Sequence, residues 1–227
     1  MRTMECVRLW CMVTAASLVA AESAWSAETA KPVANTTYQF VADEMCCKGC
    51  AKNIAAQLYA APGVTNVQAD VATRTVVVTA KPSPKLTLEK LWDAVEKGKG
   101  KPSKLTTTAA IYELTRLEEL TAEERPTAGV YTLVVSEMSD KAVAAKIAKS
   151  LYAIEGVQSV SFDSQQQALI VRPANGVQLS PWKLGGAVEQ AEAQPLVITG
   201  PHGRFTIERM AEPETLSSRS NNRGEVR

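Results

Sequence analysis

Three of the five cysteines fall within five residues of one another, at Cys46, Cys47 and Cys50. Two thiolates three positions apart, one in a loop and one in the first turn of a helix, can converge on a single ion. A helix amino terminus and the neighbouring Lys48 both favour the deprotonated thiol. Soft sulfur ligands select Cu(I), with Zn(II), Cd(II) and Hg(II) as competitors. Two ligands are fewer than the four of a structural zinc site, so an ion held by them could pass to the thiols of a partner.

The other two cysteines, Cys6 and Cys11, lie in a segment with the features of an export signal. Arg2 and Arg8 supply positive charge, and residues 9–21 form an apolar run that is too short to span a bilayer. We therefore predict that residues 1–27 are a signal peptide. The protein is then periplasmic or secreted, or membrane-anchored if the segment is not cleaved. The remaining cysteines are clustered, which indicates a site and not a disulfide framework.

The composition is that of a globular protein with almost no excess charge. Hydrophobic residues make up 45% and charged residues 22% of the 227 positions, and the formal net charge is +1. This balance, without a basic stripe and interleaved aromatic residues, excludes the class of nucleic-acid-binding proteins. A chain of this length accommodates two small domains.

The chain contains an internal repeat. A shift of 93 residues aligns residues 38–102 with residues 131–195 without a gap. Identical pairs run through the whole alignment, among them Tyr38/Tyr131, Met45/Met138, Lys48/Lys141, Gly63/Gly156, Val95/Val188 and Pro102/Pro195. One register held over that length indicates a duplication.

Each copy predicts the same order of elements. Aromatic and β-branched runs predict strands, and apolar residues three and four apart predict helices. The predicted strands are 38–42, 64–71, 75–79 and 104–108 in the first copy, and 131–135, 157–163, 168–172 and 196–199 in the second. The predicted helices cover 51–58 and 88–95, then 144–151 and a segment that begins at Pro181. The fold class is therefore α+β, with two ferredoxin-like βαββαβ sandwich domains in tandem.

These patterns divide the chain into six segments. We predict a signal peptide (1–27), a linker (28–37), a first domain with the cysteine site (38–112), a charged linker that could be helical (113–129), a second domain without cysteines (130–209) and a disordered tail (210–227).

The motif Met45-Cys46-Cys47-Lys48-Gly49-Cys50 stands between the first strand and the first helix of the first copy. Its Met-x-Cys-x-x-Cys spacing resembles the heavy-metal-associated domain, which is found in copper chaperones, metal-pumping P-type ATPases and periplasmic mercury-binding proteins. The resemblance covers residues 38–108 and, as a degenerate copy, residues 131–199. It implies that Cys47 and Cys50 are the metal ligands and that Met45 packs beneath the loop. It also implies a metal-transporting membrane protein or another thiol metal carrier as partner.

Two features of the first copy bear on the comparison with the family pattern: the third cysteine of the motif and the lysines of a later loop. Cys46 occupies a position that is usually polar, so a third thiolate stands beside the pair, either as an additional ligand or as a bystander or disulfide partner. Lys99 and Lys101 lie in the loop where family members carry a Tyr or Lys near the metal. One of them could offset the negative charge of a bis-thiolate Cu(I) centre, or both could belong to a solvated Lys/Gly loop.

In the second copy the cysteine motif is absent. Ser139-Asp140-Lys141-Ala142-Val143 follows Met138, so both ligand positions have lost their sulfur. This half could serve docking or dimerisation, or it could be a decayed repeat that is retained because it packs against the first half.

Three functions are compatible with these residues. The leading one is a non-enzymatic protein that sequesters or delivers a soft metal outside the cytoplasm. A thiol–disulfide oxidoreductase is the main alternative, because a CxxC pair at a helix start also occurs in thioredoxin-like proteins. The Lys-Gly pair between the cysteines and the duplicated βαββαβ order count against it. The third is a docking protein whose thiols are incidental.

Overall fold

The computed structural model describes residues 35–127, 129–136, 141–163 and 166–210. The first half contains β1 (Thr36–Ala42), α1 (Lys48–Tyr59), β2 (Val64–Asp70), β3 (Thr75–Ala80), α2 (Leu88–Lys97), β4 (Pro102–Thr106) and β5 (Ala110–Thr115). The second half contains β6 (Tyr131–Val135), α3 (Lys141–Tyr152), β7 (Val157–Asp163), β8 (Ala168–Pro173), α4 (Pro181–Gln190), β9 (Pro195–Gly200) and β10 (Gly203–Arg209). Across these described residues, the helices are too short or too polar to cross a bilayer.

Several predicted segments lie outside the described residues. They are the signal peptide, with Cys6 and Cys11, most of the first linker, and nearly all of the tail. Met138, Ser139 and Asp140 of the second motif also lie outside them.

The α+β class and the βαββαβ order predicted from the sequence are present in both halves. Helix α3 begins at Lys141, 93 residues after α1 begins at Lys48, and α4 begins at Pro181, 93 residues after Leu88. Strand order within each half is also the same, since β2-β3-β1-β4 corresponds to β7-β8-β6-β9.

The two halves share a single ten-stranded sheet. Its order is β2-β3-β1-β4-β5-β10-β9-β6-β8-β7, and the described residues belong to one compact unit. The halves meet where β5 and β10 pair antiparallel, from Ala110 opposite Arg209 to Thr115 opposite Arg204. The sequence analysis did not predict this pairing. Division into two separate tandem domains stays a prediction.

The predicted linker over residues 113–129 differs from the structure at its start. Residues up to Thr115 belong to β5, which pairs with both β4 and β10. The described residues 116–127 contain turns and no helix. The charged sequence favours a helix locally, but Ala110 and Leu114 are buried in the core on one face of the strand. Over residues 113–115, burial and two-sided pairing therefore override the local helical preference.

An aromatic cluster covers the join between the halves. Trp92 of α2 lies 5.5 Å from Trp182 of α4 and 5.6 Å from Phe205 of β10, measured between ring centroids. Tyr112 of β5 lies 5.1 Å from Trp182. Tilted ring contacts at these separations are favourable beyond the area that they bury. Through these rings, α2 and α4 contact each other and the strands at the join.

Candidate metal centre

The loop that carries the cysteines is anchored at its start. Met45 is fully buried in the core. Its backbone N–H donates to Ala42 O at 3.0 Å, and the Cys46 N–H donates to Glu44 O at 2.9 Å. These bonds close a tight turn at the end of β1. The chain before the cysteines is therefore anchored by a buried side chain and by backbone hydrogen bonds.

Helix α1 begins inside the motif. Cys47 is the N-cap residue, with extended backbone angles (φ −152°, ψ 165°), and its Sγ accepts a hydrogen bond from the Cys50 N–H at 3.3 Å. A capping side chain satisfies one of the unpaired N–H groups at the helix start. The first turn contains Lys48 and no acidic residue. The positive end of the helix is thus directed at sulfur and not at a carboxylate.

The three sulfurs lie together at the surface. Cys47 Sγ and Cys50 Sγ are 3.0 Å apart, Cys46 Sγ and Cys50 Sγ are 3.7 Å apart, and all three atoms lie within 4.8 Å of one another. All three thiols are free; Cys46 and Cys47 are exposed and Cys50 is partly buried. A metal ion arriving from solvent would meet all of them without any backbone opening.

The two thiols of the pair differ in acidity. The pKa of Cys47 lies below the ordinary thiol value, mainly because the Cys50 thiol donates a hydrogen bond to its sulfur and secondly because the Cys50 N–H does so. The pKa of Cys50 lies above that value, first because of its hydrogen bond with Cys47 and then because of Cys46. Hydrogen bonds to the charged form favour that form. Of the pair, Cys47 is therefore the thiol that loses its proton more readily.

The lysine loop lies beside the cysteine loop. The Glu44 N–H donates to Gly100 O at 3.1 Å, and the Asp43 N–H donates to Lys101 O at 3.2 Å. The Lys101 ammonium forms an ion pair with Glu44 Oε1 at 3.3 Å. Lys99 and Lys101 both have positive φ, 61° and 52°. Because Lys101 is already paired with a carboxylate, the role of either lysine in balancing a thiolate centre stays a prediction.

Sequence reasoning missed two glycines that set the position of α1. A Cβ on Gly98 would lie 2.6 Å from Ile54 Cα, and a Cβ on Gly100 would lie 2.8 Å from the side chains of Ile54 and Val95. The loop after α2 therefore touches the α1 backbone one turn beyond Cys50. Neither interpretation of this Lys/Gly loop, as charge compensation or as a solvated loop, gave the glycines a role, whereas they allow this close contact.

The second half differs from the first at the position of Cys50 and at the positions of the two glycines. Val143 stands where the first half has Cys50, and it packs partly buried against the core. The positions that match Gly98 and Gly100 hold Ala191 and Ala193, which are buried. Over the described ranges, the cysteine trio is the one group of three or more potential ligand side chains with atoms this close.

The family comparison agrees with this geometry. Residues 40–102 match the heavy-metal-associated domain family. They are a heavy-metal-associated domain. The matched span runs from β1 to the first residue of β4 and contains all three clustered cysteines. Metal binding or transfer is thus the function to which the heavy-metal-associated domain points.

Three solved structures illustrate what the chain is similar to. The N-terminal soluble domains of Bacillus subtilis CopA are 20% identical, cover 72% of this chain and 94% of their own, and give a TM-score of 0.32. Oxidized MerP from Ralstonia metallidurans CH34 is 25% identical over 33% of this chain and 99% of its own, with a TM-score of 0.28. A chain of the Atx1–Cu(I)–Ccc2a complex is 20% identical over 32% and 94%, with a TM-score of 0.27. No curated protein matches the chain.

Proposed function

We propose that this chain is an exported, non-enzymatic protein that binds a soft metal ion through Cys47 and Cys50 and sequesters or transfers it. Cu(I) is the preferred ion, and Zn(II), Hg(II) and Cd(II) are its competitors. One observation carries the proposal: two free thiols 3.0 Å apart lie at the accessible start of a helix, inside a heavy-metal-associated domain.

The choice of ion follows from the donor atoms. Thiolates are soft ligands and prefer Cu(I) to hard cations. A structural zinc site has four protein ligands in a closed tetrahedron, whereas the CxxC pair supplies two. A singly charged ion on two thiolates leaves one net negative charge, which the helix amino terminus and Lys48 partly offset.

The proposal that the ion is transferred to a partner rests on the exposure of the thiols. Because Cys47 is exposed and Cys50 is only partly buried, the thiols of a partner can approach an ion held between them. A shared intermediate then passes the ion without releasing it into solution. The partner class is a metal-transporting membrane protein or another thiol metal carrier.

Export is proposed from residues 1–27 alone. An oxidising exterior would join Cys47 and Cys50 as a disulfide. Metal occupancy or a dedicated reductant must therefore keep the pair available. The lowered pKa of Cys47, beside a second thiol, also suits a thiol–disulfide oxidoreductase, which is the competing function.

Native mass spectrometry of the reduced chain with Cu(I), Zn(II), Cd(II) and Hg(II) tests the proposal. The variant Cys6→Ser/Cys11→Ser serves as the parent, so that the only thiols are those of the motif. We expect one Cu(I) per chain and no Cu(I) on the further variant Cys47→Ser/Cys50→Ser. Stoichiometric Cu(I) on that variant would refute the assignment of the site. Catalytic turnover of a model disulfide by the parent, without metal binding, would favour the oxidoreductase.

A further inference from the structure

We propose that Cys46 completes a three-thiolate site, and that this site takes a thiophilic ion with three sulfur bonds, of which trivalent arsenic is the simplest example. The inference rests on the proposed function, because it uses the same Cys47 and Cys50. It adds a ligand and a class of cargo that a two-cysteine site does not provide.

The structure holds Cys46 next to the pair. Met45 on one side is fully buried, and Cys47 on the other side caps α1. The Cys46 N–H is itself bonded to Glu44 O at 2.9 Å. With both neighbours anchored, the Cys46 backbone is held beside the pair, and its Sγ lies 3.7 Å from Cys50 Sγ.

The short Cys47–Cys50 separation fits a pyramidal three-sulfur ion better than a linear two-sulfur ion. With metal–sulfur bonds of about 2.3 Å, a linear two-sulfur ion needs sulfurs about 4.6 Å apart, a trigonal ion needs about 4 Å, and a pyramidal ion needs about 3.5 Å. The separations from Cys50 Sγ are 3.0 Å to Cys47 and 3.7 Å to Cys46. A linear ion must therefore open the Cys47–Cys50 pair by about 1.6 Å, whereas a pyramidal ion opens it by about 0.5 Å. The pyramidal ion also draws Cys46 Sγ and Cys47 Sγ, which lie within 4.8 Å of each other, to about 3.5 Å.

The net charge of the complex disfavours a monovalent ion that is bound by all three thiolates. Three thiolates around Cu(I) leave two net negative charges, whereas three thiolates around a trivalent ion leave none. The loop offers limited compensation, because Lys101 is paired with Glu44 at 3.3 Å. We therefore expect Cu(I) to use the pair and a trivalent ion to use all three sulfurs.

The binding step with arsenious acid balances without a redox partner. Three As–O bonds break and three As–S bonds form. Each thiol proton leaves with one hydroxide of arsenious acid, so that three waters are released. Arsenic stays trivalent and the sulfurs stay at the thiolate level.

The test compares As(III) with Cu(I) in the reduced Cys6→Ser/Cys11→Ser parent and in the same chain with Cys46→Ser. Affinities come from competition with a small dithiol, followed by native mass spectrometry. Loss of a direct ligand should weaken As(III) binding by at least about 100-fold, the upper end of what loss of an outer-shell partner costs. Cu(I) affinity should change by less than about threefold, since both ligands of the pair remain.

Thiol counting supplies an independent readout. Alkylation of the As(III)-loaded parent should leave all three cysteines unmodified. The Cu(I)-loaded parent should be alkylated at Cys46 alone. Because Cys46 is exposed, the serine variant keeps its fold, which retained Cu(I) binding verifies.

Two results separate the inference from the proposed function. As(III) affinity of the Cys46→Ser variant within about threefold of the parent overturns the three-thiolate site and leaves Cu(I) binding by the pair standing. Cu(I) binding that persists in Cys47→Ser/Cys50→Ser overturns the proposed function itself.

Discussion

Replacement of Gly98 by alanine tests how the fold positions the metal centre. Gly98 has φ −72°, a conformation that alanine adopts readily, so the backbone itself is not strained. The added Cβ would lie 2.6 Å from Ile54 Cα and 3.0 Å from Ile54 N. Favourable contact between carbon atoms begins at about 3.5 Å, so α1 must move away from the loop by roughly 1 Å. Cys50 lies one turn before Ile54 and moves with it.

We expect Gly98→Ala to lower the free energy of unfolding by about 1–3 kcal/mol, the usual cost of overpacking. In a chain of this size each kcal/mol lowers Tm by about 2–4 °C. The matching position in the second half holds Ala191, which is buried. Alanine is therefore compatible with the element itself, and the cost arises from the close approach of α1. Cu(I) affinity should fall together with stability, because Cys50 is displaced from Cys47.

Gly186→Ala is the matched control. Gly186 lies inside α4, and a Cβ there would meet nothing within 4 Å outside the helix backbone. Alanine is favoured over glycine in a helix interior by about 0.5–1 kcal/mol, so this variant should be more stable than the parent. Urea unfolding followed by circular dichroism measures both variants, and Cu(I) competition measures the site. Gly98→Ala with unchanged stability and unchanged Cu(I) affinity would show that α1 does not rest on this loop.

Three further predictions concern single groups. Tyr131 is buried, and its hydroxyl both donates to Leu179 O and accepts from the Leu179 N–H at 2.9 Å. Tyr131→Phe should therefore lower the free energy of unfolding in urea by about 1–3 kcal/mol. Tyr38→Phe, at the equivalent position of the first half, is the control and should be near neutral. Equal losses for the two tyrosines would contradict this account. The pKa of Cys47 is lowered and that of Cys50 is raised, so iodoacetamide should modify Cys47 before Cys50 at neutral pH. Peptide mapping of the alkylated chain measures the order. Cys50→Ala should slow the modification of Cys47, because it removes the donor to the Cys47 thiolate. Lys101→Gln should weaken Cu(I) binding by no more than about 1 kcal/mol, because the Lys101 ammonium is solvent-exposed and paired with Glu44. The control Lys149→Gln, in the second half, should leave the Cu(I) affinity unchanged.

Local patterns in the sequence were sufficient for most of the secondary structure and for the motif. Aromatic and β-branched runs became strands, and the helix over residues 48–59 followed from apolar residues such as Ile54 and Leu58 on one face. Each of these signals lies within one element, and the duplication supplied each of them twice. Nothing in residues 110–115, however, indicated that this segment would pair with residues 203–209, and its charged continuation favoured a helical linker.

The sequence by itself determined that three thiols stand where a strand passes into a helix, since cysteine spacing and helix start are both local properties. Tertiary structure decided the rest. The distances between sulfurs depend on the buried Met45 and on the contact between Ile54 and Gly98, residues 44 positions apart in the chain. The join of the two halves depends on β5 and β10, the outermost strand of each half on the side where the halves meet. Leu114 and Phe205 lie opposite each other in this pair of strands and are buried. Contacts of this kind are set by packing between remote segments, and no short stretch of sequence encodes them.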